Sequence, residues 1–213
     1  MEKLIWLHAG TGGIALLFGM IALVSKKGGS NHKKSGKVFY YSMLFSAIVA
    51  LIISLNPDKK NYFLFIIGIF STYLLLSGFR ALKFKKIKSD TNLLIDKMIS
   101  YGMLTGAIVM IIWSFLPLIK QGNIQIVLLV FGLIGFSLSI RDVRFFKNRT
   151  KLKEAWLRIH VGNMVGGYIA AFTAFIVVNQ FIPALFGWIG PTLIGSLYIT
   201  YWMTKLSPKK QNT

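Results

Sequence analysis

Residues 61–82 read NYFLFIIGIFSTYLLLSGFRAL, a stretch whose one charged residue, Arg80, stands near its end. Its apolar residues are continuous and do not alternate with polar ones, which indicates a helix and not a strand of a membrane barrel. About 20 apolar residues are enough to cross the hydrocarbon core of a bilayer as an α-helix. This stretch therefore predicts a transmembrane helix.

Six further apolar segments lie on either side of this stretch, and the one at 124–140 is the shortest. Their approximate ranges are 4–24, 37–55, 94–118, 124–140, 156–179 and 184–204. Each predicts a helix by the same argument of length and continuity. The sequence therefore predicts an all-α integral membrane protein, in which residues 1–213 form one membrane domain of about seven transmembrane helices.

The composition favours a membrane and not a nucleic acid as the environment of this chain. The sequence contains 25 Lys and Arg but only 6 Asp and Glu, for a net charge of +19, and its mean hydropathy is +0.62. The charges lie in short blocks between the apolar segments, so we expect them to meet anionic lipid headgroups. The sequence has no cysteine, which excludes disulfides, thiolate metal sites and cysteine nucleophiles.

The basic residues alternate from one connection to the next. All but four of them fall on one side of the predicted membrane, and the four on the other side are Lys3, Lys59, Lys60 and Lys120. Cytoplasmic loops carry an excess of Lys and Arg. We therefore predict that the N-terminus lies outside and the C-terminus lies in the cytoplasm.

Two local features carry further expectations about the helices. The connection 141–155 contains several apolar residues, among them Phe145, Phe146 and Leu152, so we expect it to lie as an amphipathic segment on the inner leaflet. Gly190-Pro191 falls in the middle of the last helix. A kink is expected there.

The acidic residues are all predicted in loops or at the ends of helices. They are Glu2, Asp58, Asp90, Asp96, Asp142 and Glu154. An ionisable group within the hydrocarbon is costly and marks a candidate functional site. By these predicted boundaries the chain has none at mid-membrane, which argues against a proton pump or a cation-coupled transporter.

Two of the three histidines precede stripes of mostly small residues at helical spacing. His8 is followed by Gly12, Ala15, Gly19 and Ala22, and His160 is followed by Met164, Gly167, Ala171 and Ala174. Such stripes pack against a neighbouring helix or a flat ligand. We therefore expect both imidazoles to point into the bundle, either to serve a site or to bond a backbone carbonyl or hydroxyl across a helix contact.

The third histidine, His32, precedes the second helix at the same membrane face as His160, Asp96 and Asp142. Imidazole and carboxylate groups are ligands for transition metals, and two imidazoles can form the axial pair of a b-type haem. We therefore predict a cofactor site at His32 and His160, with His8 as a further candidate, that holds haem b or a transition-metal ion. In the metal alternative Asp142 and Asp96 complete the ligand set. A solvated interfacial role for His32 stays open.

Two stretches carry a resemblance to a known family. The first runs from Leu7-His8 through Ala15-Leu16-Leu17, Lys27-Gly28 and His32 to Met43, and the second runs from Trp156 through His160 and Tyr168 to Asn179. Together they resemble a bacterial family of predicted multi-helix membrane proteins without an established function. The resemblance implies a multi-pass protein of a bacterial inner membrane. A looser similarity to small haem-b membrane cytochromes rests on histidines in a helical bundle, but the two membrane-spanning histidine pairs of those cytochromes are lacking.

Several function classes therefore stay open beside haem or metal binding with a redox or sensing role. One is a transporter or lipid-binding protein without a buried charge, with a cavity at the Gly190-Pro191 break. Another is an assembly partner of a membrane complex. A membrane hydrolase that uses a His/Asp metal site is the third, so enzymatic activity and oligomeric state are left undecided.

Overall fold

The chain folds into seven α-helices and one 3₁₀ helix in a computed structural model that describes residues 1–57 and 61–205, without the side chains of 119–121. The α-helices are α1 Glu2–Val24, α2 Ser30–Ser54, α3 Tyr62–Arg80, α4 Leu94–Gln121, α5 Ile126–Phe146, α6 Arg149–Asn179 and α7 Ala184–Lys205, and the 3₁₀ helix is Ala81–Lys86. These residues contain no strand. Asp58, Lys59 and Lys60, the side chain of Lys120 and the tail beyond Lys205 lie outside the described residues.

Six of the helices are long and apolar enough to cross a membrane. They are α1, α2, α3 with its 3₁₀ extension, α4, α5 and α6. Glycine, proline and hydroxyl-bearing residues interrupt the apolar sequence of α7, which is not among the six. The predicted class, an all-α membrane protein with seven helices, is confirmed. The direction in which the chain crosses the membrane stays a prediction.

The helix α3 lies at the centre of the bundle and packs against α2, α4, α5 and α6. Leu74 and Leu75 in its middle are at most 1% exposed. The helix α1 packs against α2 and α6, while α7 packs along α6. Many large apolar side chains of the outer helices are exposed, Ile112 and Ile194 among them, as a bundle surrounded by lipid requires.

Two predicted helix boundaries are wrong, and both errors fall in basic sequence. The helix α2 begins at Ser30 and not near 37, so His32 lies inside its first turn. Residues 141–155 do not form a separate amphipathic segment, because α5 continues to Phe146 and α6 begins at Arg149. Leu152 is fully buried against Ala81 and Phe84 of the 3₁₀ helix. Its apolar partner is thus protein and not the inner leaflet.

Several helix ends meet at one end of the bundle, which we call the basic end because the connections 25–29 and 81–93 carry lysines there. The side chain of His32 at the start of α2 bonds the backbone oxygen of Ala22 near the end of α1. At the same level Arg80 near the end of α3 bonds Asp96 near the start of α4. The basic end is therefore where most of the predicted site residues are found.

Candidate functional site

His32 lies in the first turn of α2 and is held against the end of α1. The connection turns sharply at Gly28, whose φ of +75° is strained for residues with a side chain. Nδ1 of His32 lies 3.0 Å from the backbone oxygen of Ala22. This oxygen is among the last four carbonyls of α1, which have no partner within their own helix. His32 therefore caps α1 from a neighbouring helix.

His160 makes the same kind of bond with a different helix. It lies in α6, and its Nδ1 is 2.9 Å from the backbone oxygen of Gly78 in the last turn of α3. The two helices approach closely here, because a Cβ added at Gly78 would lie 3.0 Å from Asn163 and Met164 side-chain atoms. Glycine at this position lets α3 present its carbonyl to the imidazole.

These two hydrogen bonds determine which ring nitrogen remains available. A carbonyl oxygen only accepts, so Nδ1 of each imidazole carries the proton, and in the neutral ring Nε2 keeps its lone pair. His32 contributes to the electrostatic environment of His160. The structure therefore places both histidines at the basic end, each with an oriented Nε2, and their role as a joint site stays a prediction.

Aromatic side chains of α2 and α6 meet further from the basic end. Phe39 lies two turns beyond His32, and Tyr168 lies just over two turns beyond His160; their ring centroids are 6.0 Å apart. Gly19 of α1 packs beneath them, since a Cβ there would lie 2.5 Å from Tyr168 and 2.9 Å from Phe39. The aromatic contact thus links α2 to α6 over Gly19 of α1.

The two predicted carboxylate ligands are engaged elsewhere. Asp96 is 6% exposed and accepts two hydrogen bonds from Arg80, at 2.7 and 2.8 Å. Asp142 is 2% exposed and pairs with Arg141 at 2.9 Å. Among residues 1–57 and 61–205, no three His, Asp or Glu side chains converge as a metal site. The four-residue set of His32, His160, Asp142 and Asp96 is therefore not assembled in this structure, and its role as ligands stays a prediction.

Asp142 instead lies in a buried network that the sequence analysis missed. Its Oδ2 accepts hydrogen bonds from Tyr73 at 2.9 Å and Ser77 at 3.0 Å, with Ser100 at 3.5 Å. Asn163 of α6 closes the network, since it donates to Ser77 and accepts from Arg141. The expectation that every acidic residue lies in a loop or at a helix end is wrong for Asp142, which is inside α5.

A small cavity lies between the two ion pairs. It has a volume of about 10 Å³ and is lined by Ser77, Asp96, Ser100 and Asp142 together with apolar side chains. This is room for about one water molecule, and the site has the polar partners that a buried water needs. The cavity is too small for a cofactor, so the Asp142 network serves to join α3, α4, α5 and α6.

His8 lies away from the other two histidines, near the start of α1. Its Nδ1 is 3.0 Å from the backbone oxygen of Ser46 and 2.9 Å from the hydroxyl of the same residue. The stripe that follows it faces the bundle as predicted, since Ala15 is fully buried and Ala22 is 8% exposed. His8 therefore joins α1 to α2, and no second imidazole accompanies it in the described part of the chain.

The comparisons with known proteins place the chain in a family but supply no activity. A family described as "Predicted membrane protein (DUF2306)" matches residues 5–138, a range that includes His8 and His32 and ends before Asp142 and His160. The second stretch of the resemblance, 156–179, lies outside this match. No curated protein and no solved structure matches the chain. Because the matched residues make up more than half of the sequence, the chain belongs to the DUF2306 family of predicted membrane proteins.

Proposed function

We propose that this multi-pass membrane protein binds a haem group at the basic end of the bundle, where His32 and His160 would hold its iron. The observation that carries the proposal is the shared orientation of the two imidazoles. Each donates Nδ1–H to a helix-terminal carbonyl, the arrangement that orients metal-bound histidines in many sites. Each thereby keeps Nε2 for another partner.

The set of available ligands favours haem over a bare metal ion. A transition-metal ion in a protein usually takes at least three protein ligands, and here the nearby carboxylates already bond Arg80 and Arg141. A haem iron has four ligands from its own ring and needs only two imidazoles from the protein. The alternative is a metal ion bound by the same two histidines, with water as its remaining ligands. The absorption spectrum and metal content of the protein distinguish it from haem.

The face of α2 beside His32 is open, which leaves room for a flat ligand there. Gly36 lies one turn further along the same face of α2, and a Cβ added there would meet no atom within 4 Å. The Phe39–Tyr168 contact would bound such a ligand on its inner side. When bound, haem would supply one-electron chemistry, and the residues of this chain would hold the iron and limit its access to water. This suits a redox or sensing role in a bacterial inner membrane.

The absorption spectrum and metal content of the purified protein test the proposal. Protein expressed with added haem precursor should show a Soret band, and the band should be lost in both His32→Ala and His160→Ala. Elemental analysis should find iron and no other transition metal. A transition metal bound without a Soret band would replace haem with the metal alternative. If the parent protein shows neither a Soret band nor a bound transition metal, even after incubation with hemin, both the haem and the metal alternatives are contradicted.

A further inference from the structure

The side chain of Lys27 occupies an unusual position for a loop lysine. Its Nζ donates to the backbone oxygen of Ala22 at 3.0 Å and to that of Leu23. The oxygen of Ala22 is the one that also accepts from Nδ1 of His32. The ammonium group therefore lies beside His32 and caps the end of α1, where the helix dipole favours a cation.

Aromatic side chains of α7 surround this ammonium group. Its Nζ lies 5.4 Å from the ring centroids of both Tyr198 and Trp202. The hydroxyl of Tyr198 donates to the oxygen of Leu23 at 2.9 Å, which ties α7 to the end of α1. Lys205 brings a second ammonium group to 5.2 Å from the ring of Trp202. Two cations therefore lie within cation–π range of one indole ring.

The positive charge of this cluster has no negative partner in the described part of the chain. The partners of Lys27 are backbone oxygens and aromatic rings, and none is a carboxylate. Burial lowers the pKa of the Lys27 ammonium below its ordinary value, as expected for a cation that has lost water without gaining a counter-ion. The ammonium group of Lys27 has three N–H donors, and two of them bond carbonyl oxygens.

We propose that Lys27, Tyr198, Trp202 and Lys205 form a binding site for the phosphate of an anionic phospholipid in the leaflet at the basic end. Lys27 follows the last turn of α1, and the three α7 residues lie in the last two turns of that helix. Tyr and Trp are enriched at this depth, where headgroups lie, and basic side chains near it attract anionic lipid. The argument for this site does not rest on haem binding.

Lipid-dependent thermal stability of the purified full-length protein in non-ionic detergent tests the site. Phosphatidylglycerol should raise Tm in a saturable manner, while phosphatidylcholine and inorganic phosphate should have little effect. Lys27→Gln should weaken the apparent affinity for phosphatidylglycerol about five-fold, which corresponds to roughly 1 kcal/mol for one basic side chain near an anionic membrane surface. The matched control is Lys34→Gln, which removes the same charge from an exposed side chain of α2 and should change the affinity far less.

Trp202→Leu provides a second variant that leaves the cap on α1 in place, and it should also weaken binding. Equal stabilisation by phosphatidylglycerol and phosphatidylcholine would overturn the proposal. So would a Lys27→Gln or Trp202→Leu protein that binds phosphatidylglycerol as the parent does. If inorganic phosphate alone protects the protein as well as phosphatidylglycerol does, the ligand is a free anion and the assignment to lipid is overturned.

Discussion

The Asp142 network and the His32–His160 pair lie at the same end of one bundle, and both link helices through polar side chains. In the network, Asp142 accepts from Tyr73, Ser77 and Arg141, so the carboxylate is well supplied with donors. In the pair, each imidazole bonds a carbonyl through Nδ1. A buried polar group with filled hydrogen-bonding capacity stabilises the fold, whereas the Nε2 atoms of the pair are the atoms to which we assign the proposed ligand.

The largest effect on stability is expected from Asp142→Asn. The change leaves Arg141 without its negative partner, and breaking a buried ion pair typically costs 3–5 kcal/mol. Because the side chain of Arg141 is about a third exposed, water will offset part of that cost, and we expect a loss of about 3 kcal/mol. Thermal unfolding in detergent measures it. Asp90→Asn, in an exposed loop, is the control and should leave Tm unchanged.

A smaller loss is expected from Gly78→Ala, which acts on both regions at once. The added methyl group would lie 3.0 Å from side-chain atoms of Asn163 and Met164 and 3.1 Å from the backbone nitrogen of Met164, so these atoms of α6 must shift slightly. Overpacking of this kind costs roughly 1–3 kcal/mol. Gly102→Ala adds the same group within α4 where no atom lies within 4 Å. If the two variants unfold at the same temperature, the close crossing of α3 and α6 is wrong.

The smallest of the three losses is expected from Tyr73→Phe. It removes one donor from Asp142 while Ser77 and Arg141 continue to bond the carboxylate. Hydrogen bonds to charged groups contribute roughly 1.5–3 kcal/mol, and the remaining donors should keep the loss near 1 kcal/mol. Tyr62→Phe removes a hydroxyl from an exposed side chain and serves as the control. A loss for Tyr73→Phe as large as that for Asp142→Asn would show that the hydroxyl, and not the ion pair, dominates the network.

The sequence predicted the helices well because apolar length is a local property. Segments such as 61–82 and 94–118 needed only a count of consecutive apolar residues, and the structure has helices at Tyr62–Arg80 and Leu94–Gln121. The boundaries failed at residues 30–36 and 141–155, where charged residues made helical sequence resemble a loop. Arg141 forms hydrogen bonds with Asp142 and with the neighbouring Asn163. A hydropathy count therefore overstates the free-energy cost of placing Arg141 and Asp142 inside the bundle.

The placement of the histidines was partly predictable, and the Asp142 network was not. The small-residue stripe after His160 indicated a face that packs inward, and membrane orientation placed His32 at the same level. The network joins residues 73, 77, 100, 142 and 163, from four helices. Which helices are neighbours is decided by packing around α3, and no local pattern reports it.

The comparison of His160→Ala with His8→Ala in hemin binding tests the central claim most directly. Both histidines bond a carbonyl of a neighbouring helix through Nδ1, so both changes remove a similar interhelical bond. Of these two, His160 is the one whose electrostatic environment includes another imidazole, that of His32. We expect His160→Ala to weaken hemin binding tenfold or more, since even residues that merely orient a ligand contribute about 10–100-fold, while His8→Ala binds as the parent does. Equal hemin affinity in the two variants would contradict the account.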